Sequence, residues 1–299
     1  MRTDSSSSLN FPKRTYATFL QSYSTSLKQN FLTLSRDPPT ISSRLTNIVG
    51  IGIILMLFCS PLSDLSTVGV TNRFGLIQQI NSLYFSGMLN NLTTYPSNLS
   101  SFITDYKDGC HSSPLAWFLA YLTLEIPFEI IGCLIFAVFT GIVPGLPRTA
   151  EFFFSLTYVS WMIVNAGESL GIITNTLFDR TPGVAITLVS VVLSIANFMA
   201  GLMSLHMPKV LKGINYISPL KYAMIIVLNM AFAEDVRFKC ANSTADDCLM
   251  NTGEEVLATY GLKVSDFKWC FGVLFAIAVA YRAVAYLVLW LKVRTIRRG

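Results

Sequence analysis

Charge is what this 299-residue sequence has least of. Asp, Glu, Lys and Arg make up 13% of it, about half their share in an ordinary soluble domain, while 52% of the residues are hydrophobic. A soluble globule is excluded, and the chain reads as a membrane protein. Histidine is nearly missing: His111 and His206 lie far apart, so neither a His/Cys metal cluster nor an imidazole-based active site has its material. No Lys is followed by Ser or Thr. That excludes the phosphate-binding loop G-x-x-x-x-G-K-[ST], and with it ATP hydrolysis by that route. No nucleophile stands beside a base at a recognisable spacing, and the reading contains no catalytic, cofactor or metal residue. The opening residues are Ser-rich and polar, with no signal-peptide core. The net charge of +5 comes mostly from the two ends and reads as membrane topology, not as affinity for nucleic acid.

What is present is apolar runs long enough to cross hydrocarbon, which takes roughly 20 residues per helix. Six spans are expected, at 44–62, 72–92, 114–142, 151–177, 183–205 and 268–291. The second is the most polar, carrying Gln78, Gln79, Asn81 and Ser82. Arg2, Lys13, Arg14, Lys28, Arg36 and Arg44 precede the first span, and Lys292, Arg294, Arg297 and Arg298 follow or close the last. The positive-inside rule places both ends in the cytosol, which requires an even number of crossings. The domain reading is a disordered N-terminus at 1–10, an amphipathic helix and linker at 11–43, and a six-span transmembrane domain at 44–299 that includes a re-entrant segment and extracellular loop at 206–267.

In 11–43 the residues Tyr16, Phe19, Leu20, Tyr23, Leu27, Phe31 and Leu34 recur at helical spacing, and Pro38-Pro39 ends the run. This is the pattern of a helix lying on the inner membrane surface. After the fifth span, Pro208, Pro219 and three lysines break an apolar stretch too often for a simple crossing, and a re-entrant hairpin on the outer side is expected. Cys240 and Cys248 fall in the outer loop, where disulfides persist, and are expected to pair, with a glycosylation sequon at Asn242 between them. Cys59, Cys133 and Cys270 are expected to be free. The sequons at Asn91 and Asn98 are expected to be silent, because the topology puts them at the cytosolic face.

Polar residues inside the spans carry the functional argument. Gln78 or Gln79, Ser82 and Ser86 share one face of the second span, and Ser190, Ser194, Asn197 and Gly201 recur on one face of the fifth. Such stripes either pack helices together or line a water-accessible cavity. Glu168 is the only charge between residues 152 and 178. An intramembrane charge faces the bundle interior and finds a partner. Arg282 of the sixth span is the expected cation, with Glu125 and Glu129 of the third span at similar depth. Three acids then share one Arg, so at least one of them is protonated or solvated.

The order of elements resembles the membrane domain (ABC-2 type) of the G subfamily of ATP-binding-cassette transporters, an all-α membrane fold. Arg36-Asp37-Pro38 is similar to the R-D-P that closes the family's connecting helix, and Asn72-Arg73-Phe74-Gly75 to its N-R-x-G. "YLTLEIPFE" at 121–129, "GLPRTAEFFF" at 145–154 and "NAGESLGIITNTLF" at 165–178 look like fungal members, and "NYISPLKYA" at 215–223 resembles the S-P-x-x-Y of the re-entrant region. The resemblance covers nearly the whole chain from Phe11. It implies pairing with a second transmembrane domain, as a homodimer, heterodimer or fused half. It also implies ATP and Mg2+ on an ATP-binding cassette outside this chain, contact with membrane lipids, and export of lipids, sterols or amphipathic compounds, with the plasma membrane as the location. Carried over by position, the cavity is lined by Gln78, Gln79, Ser82, Leu83 and Ser86 from the second span and Ser190, Val191, Ser194 and Asn197 from the fifth. Leu202 and Met203 form an apolar plug above it. Multidrug members place paired aromatics where this sequence has Gln78-Gln79, so a clamp that stacks on flat substrates is not implied. The stretch 92–113 is expected to be a loop holding the coupling helix, with Asp105 in place of the family's Glu. The alternative reading is a non-transporting scaffold or regulatory protein that kept the fold. A secondary transporter is disfavoured by the lack of an internal repeat.

Overall fold

The structure is a computed structural model and describes residues 18–59, 62, 67–108, 113–178, 181–200, 209–232, 253–259 and 267–298. Every regular element among them is helical. In chain order they are α1 (Phe19–Ser35), α2 (Pro38–Cys59), α3 (Thr67–Ile80), α4 (Ser82–Lys107), α5 (Pro114–Ala137), α6 (Ala150–Leu177), α7 (Pro182–Met199), α8 (Lys209–Asn215), α9 (Pro219–Ala231), α10 (Gly253–Thr259) and α11 (Trp269–Arg298). Among the described residues, three helical stretches are long and apolar enough to cross a membrane by themselves: Pro38–Cys59, Pro114–Ile142 and Trp269–Ile296. The expected second, fourth and fifth spans correspond to α3–α4, α6 and α7. At 28 residues α6 extends about 40 Å.

Local chemistry sets the ends of these helices. Ser113 accepts a hydrogen bond from the Ala116 amide and Pro114 follows as the first helical residue, so α5 starts with one of its orphan donors satisfied. Thr149 does the same for α6 through the Phe152 amide, and Glu151 places negative charge in that helix's first turn. Beyond Ala137 the helix of α5 widens into a π-turn, Val138–Ile142, where Thr140 returns its hydroxyl to the Phe136 carbonyl. Pro219 opens α9, whose 13 residues extend about 20 Å, too short to cross hydrocarbon. α8 and α9 are separate short helices in the stretch where a re-entrant hairpin was expected, and α9 is buried over most of its length.

The tightest packing is between α4 and α6. A Cβ placed on Gly87 would collide with the Val164 carbonyl, and one on Gly167 with the Tyr84 carbonyl. Small residues on both helices therefore let the backbones touch, which is how helices associate where lipid gives no hydrophobic drive. A second cluster closes the α1 end of the bundle: Trp117 stacks on Phe102 with centroids 4.3 Å apart, and Tyr95, Tyr121, Leu289 and Val293 pack around them. Asn91 lies inside the protein, accepting from the Tyr121 hydroxyl at 2.7 Å. Cys59 and Cys133 carry free thiols.

Two expectations are corrected, and the orientation of α1 is set. The second span is not one helix: α3 stops at Ile80 and α4 begins at Ser82, with Asn81 as a turn between them. The stretch 92–107 is not a loop but the continuation of α4, passing through Pro96 to Lys107. On α1 the face against the protein is the polar one, which leaves the apolar residues free for a membrane surface. Ser22 and Ser26 are its buried residues, Tyr23 donates its hydroxyl to Thr123 of α5 at 3.0 Å, and Phe19, Leu20 and Phe31 stay exposed.

Candidate functional site

Two helix faces build the polar centre of the bundle. Glu125 and Glu129 are four residues apart on α5, while Trp161, Asn165 and Glu168 follow at i, i+4 and i+7 on α6, so each set shares a face. The faces meet, and carboxylate oxygens of the buried Glu125, Glu129 and Glu168 lie within 4.8 Å of one another. From α11, Arg282 donates through Nη2 to Glu168 Oε2 at 2.7 Å and to Asn165 Oδ1 at 2.9 Å. Its Nε reaches the same Asn165 oxygen at 3.2 Å, and Glu129 Oε1 lies 3.7 Å from Nη2. The Asn165 amide donates onward to Glu129 Oε2 at 2.5 Å, an oxygen that also accepts from Trp161 Nε1 at 2.9 Å. The four residues expected to form a network are therefore brought together, with the Glu168 side chain only 4% exposed.

Sequence reasoning gave these acids one cation, and the structure supplies a second. Arg44 lies six residues into α2, and its Nη1 meets Glu125 Oε1 at 2.8 Å while Nη2 donates to Thr94 of α4 at 2.9 Å. Position alone had grouped Arg44 with the cytosolic basic residues. The signal that could have found it is its place inside an apolar helix, the same signal that picked out Glu168. Asn165 and Trp161 were missed too, although their spacing from Glu168 puts them on its face. With all groups ionised, three carboxylates face two guanidiniums, an excess of one negative charge.

The two polar stripes come together only in part. Asn81, at the break between α3 and α4, donates its side-chain amide to Asn197 Oδ1 of α7 at 3.2 Å. Around this contact Gln78, Ser82 and Ser190 are half-buried, and Gln79, Ser194 and Val191 are exposed. Ser82, Ser190 and Ser194 each return their hydroxyl to a carbonyl of the preceding turn. Leu83 and Ser86 do not reach this face: both are fully buried, next to the close approach of α4 to α6, and are corrected from cavity to interior. Asn197 is likewise not simply open to water, because Asn81, its donor, is itself buried. Leu202, Met203, Cys240, Cys248 and Asn242 lie outside the described residues, and so does the expected disordered segment 1–10. On the far side of α7 from the serines, Val192, Ile195 and Met199 wall an apolar cavity of about 370 Å³ with Ile214 and Tyr281.

Set against known proteins, the chain matches the family described as ABC-2 type transporter over residues 21–232. It is 38% identical, over 284 residues, to an uncharacterized ABC transporter ATP-binding protein/permease of Saccharomyces cerevisiae, an alignment that covers 94% of this chain and 22% of that protein. It is 22% identical to Protein white of Drosophila melanogaster, covering 93% of this chain and 40% of that protein. It is 23% identical to ABC transporter G family member 2 of Dictyostelium discoideum, covering 85% and 20%. The chain thus spans between a fifth and two fifths of the length of these relatives.

Proposed function

We infer the function from one premise: this chain belongs to the ABC-2 type transporter family. It serves as the transmembrane part of an ATP-driven exporter that moves lipids, sterols or other amphipathic compounds out through a path shared with a second transmembrane domain. ATP and Mg2+ act on a cassette domain, fused or separate, because no Lys-Ser or Lys-Thr pair exists here to cradle a phosphate. The plasma membrane is the proposed location.

The observation that supports this reading is the uncovered polar strip of Gln79, Ser194 and half-buried Asn197 on helices whose neighbouring residues Val191, Ile195 and Phe198 are exposed and apolar. A few placed hydrogen-bonding groups in a mostly apolar wall are what an amphiphile site requires. The test is ATP-dependent efflux of a labelled amphiphile by the intact protein carrying this chain. Ser194→Leu is expected to change which amphiphiles move while the protein folds normally, since the lost hydroxyl was already satisfied within its own helix. Binding of ATP with no ATP-dependent movement of any amphiphile would instead support the scaffold reading and sink this one.

A further inference from the structure

On the face of α7 opposite its serines, Val192, Ile195 and Met199 wall an apolar cavity of about 370 Å³ that α8, the turn into α9 and Tyr281 of α11 complete. Specific bonds hold those walls in place. Asn215 donates to the Met199 carbonyl at 2.6 Å and ties α8 to the end of α7, while the Tyr281 hydroxyl donates to the Ile217 carbonyl at 3.3 Å and shares a hydrogen bond with Tyr84. The two tyrosine hydroxyls in the wall are thereby spent on the protein itself. At the rim Val192, Ile195, Ile214 and Ile217 are 45%, 46%, 51% and 62% exposed, so the cavity opens sideways from the bundle.

Depth follows from α11. Lys292, Arg294, Arg297 and Arg298 close that helix and mark its end as cytosolic. Trp269, at its other end, packs edge-on against Tyr222 of α9, so α8, the start of α9 and the cavity belong to the outer half of the membrane. Basic residues are disfavoured on that side, yet Lys209, Lys212 and Lys221 stand there, and no Asp or Glu occurs from 181 to 233. Among the described residues none of the three lysines has an ion pair. Lys212 follows Leu211 of the cavity wall, and Lys221 holds its ammonium 3.6 Å from the centre of the Tyr216 ring, beside Ile217 of the same wall. The two are near enough for the Lys212 charge to act on Lys221. Two like charges next to an apolar cavity call for an anion that carries an apolar tail.

The cavity's size and wall narrow the choice. A methylene takes about as much room as a water molecule, so the space holds about 12 of them, one alkyl chain and not two. A plain chain needs no hydrogen bond from the wall, whereas a sterol hydroxyl or a sugar would find none to spare. A choline head would set its own positive charge against two ammoniums. We infer that this cavity holds a long-chain fatty acid anion from the outer leaflet, its chain between α7 and α11 and its carboxylate at Lys212 and Lys221. The fatty acid is a resident on the far side of α7 from the serine stripe, not cargo in the path. The site rests on the membrane assignment and topology of this chain and not on what is transported.

The test uses the intact protein carrying this chain in nanodiscs of phosphatidylcholine, with a palmitic acid that bears a diazirine in its chain as the probe. After irradiation and digestion, mass spectrometry is expected to find the label on residues 192–199, 211–219 and near Tyr281, and unlabelled palmitate is expected to compete it away. The matching fatty alcohol, with the same chain and diazirine but no charge, is expected to label these residues roughly tenfold less, the factor that one charge-assisted hydrogen bond supplies. Lys212→Gln with Lys221→Gln is expected to erase that difference, and Lys221→Arg alone to keep it. Ala196→Phe, which fills the cavity from α7, is expected to block both probes. Equal labelling by acid and alcohol in the unaltered protein would overturn the proposal, and that comparison needs no variant to fold. So would label spread evenly over the lipid-facing helices, or a preference that survives the double substitution. Protection of these residues from both probes would mean that a second copy or another protein covers the cavity, and competition by phosphatidylglycerol but not by palmitate would give the site to a phospholipid; either result would overturn the assignment. Efflux is not among the readouts, so failure here leaves the transport reading standing, and the reverse also holds.

Discussion

Arg282 shows what one residue can demand of a bundle. A guanidinium in a helix flanked by hydrocarbon is stable only where carboxylate and amide oxygens already wait for it, and Glu168 and Asn165 provide them at 2.7 and 2.9 Å. Replacing Glu168 by Leu removes the shorter of these contacts and leaves the cation with Asn165 and a Glu129 oxygen 3.7 Å away. A loss of about 3 kcal/mol is expected, at the lower end of what breaking a buried pair costs, because these residual partners remain. Glu168→Gln keeps an acceptor and should cost about half as much. Denaturant unfolding of the purified protein checks both, and equal stability of the Leu variant and the unaltered protein would remove Glu168 from any structural role. Asn197→Leu belongs to the same scale. It leaves the buried Asn81 amide without an acceptor, so a loss of about 1–2 kcal/mol is expected, and Ser194 is the cleaner position from which to probe the transport path.

At the scale of the element, the crossing of α4 and α6 depends on glycine. Gly167→Ala would set a Cβ against the Tyr84 carbonyl, forcing two backbones apart at a cost of about 1–3 kcal/mol. Gly50→Ala in α2 has nothing within 4 Å of its added carbon and should leave stability unchanged or slightly raised. A comparison of the two variants by the same unfolding assay decides whether close approach, and not helix propensity, governs these positions. The elements themselves were legible to different degrees, and hydropathy explains which. Long apolar runs in α2, α5 and α11 announce helices because nothing else satisfies a backbone in lipid. The second half of α4 has no such run. Its serines and threonines return their hydroxyls to their own carbonyls, Ser97 to Thr94, Ser101 to Ser97 and Thr104 to Ser100, and a helix stabilised this way reads as a loop. In α1 the period of the pattern announced a helix at the membrane surface, and the uncovered Phe19, Leu20 and Phe31 agree with it. When lipid is the apolar medium, the hydrophobic stripe turns away from the protein, and Ser22 and Ser26 make the contact. The charge cluster was readable from isolated charges in apolar helices, whereas its Arg44 arm was hidden by its proximity to the basic N-terminal segment.

For the whole molecule, the uncovered surface of α7 decides what surrounds this chain in the membrane. The helix presents Ser190 and Ser194 on one face and Leu188 nearly opposite, and Ser194 and Leu188 are both exposed in the single chain. If this chain works alone in lipid, the two faces meet the same hydrocarbon. If it is one half of a paired assembly with a shared path, the serine face meets water and the Leu188 face meets lipid or protein. Cysteine substitution separates these cases. Cys133 and Cys270 are buried and Cys59 is only half-buried, so a background in which Cys59, Cys110, Cys240 and Cys248 are replaced by Ser should react slowly with a water-soluble maleimide. In that background Ser194→Cys and Ser190→Cys of the intact protein are expected to label readily in membranes, and Leu188→Cys to label at least tenfold more slowly, because the thiolate that reacts forms only where water reaches it. Trapping the cassettes with a non-hydrolysable nucleotide should change the Ser194→Cys rate and leave Leu188→Cys alone, since only a path that opens and closes alters its own hydration. Similar rates at all three positions, unaffected by nucleotide, would reduce the stripe to helix packing and count against the proposed path.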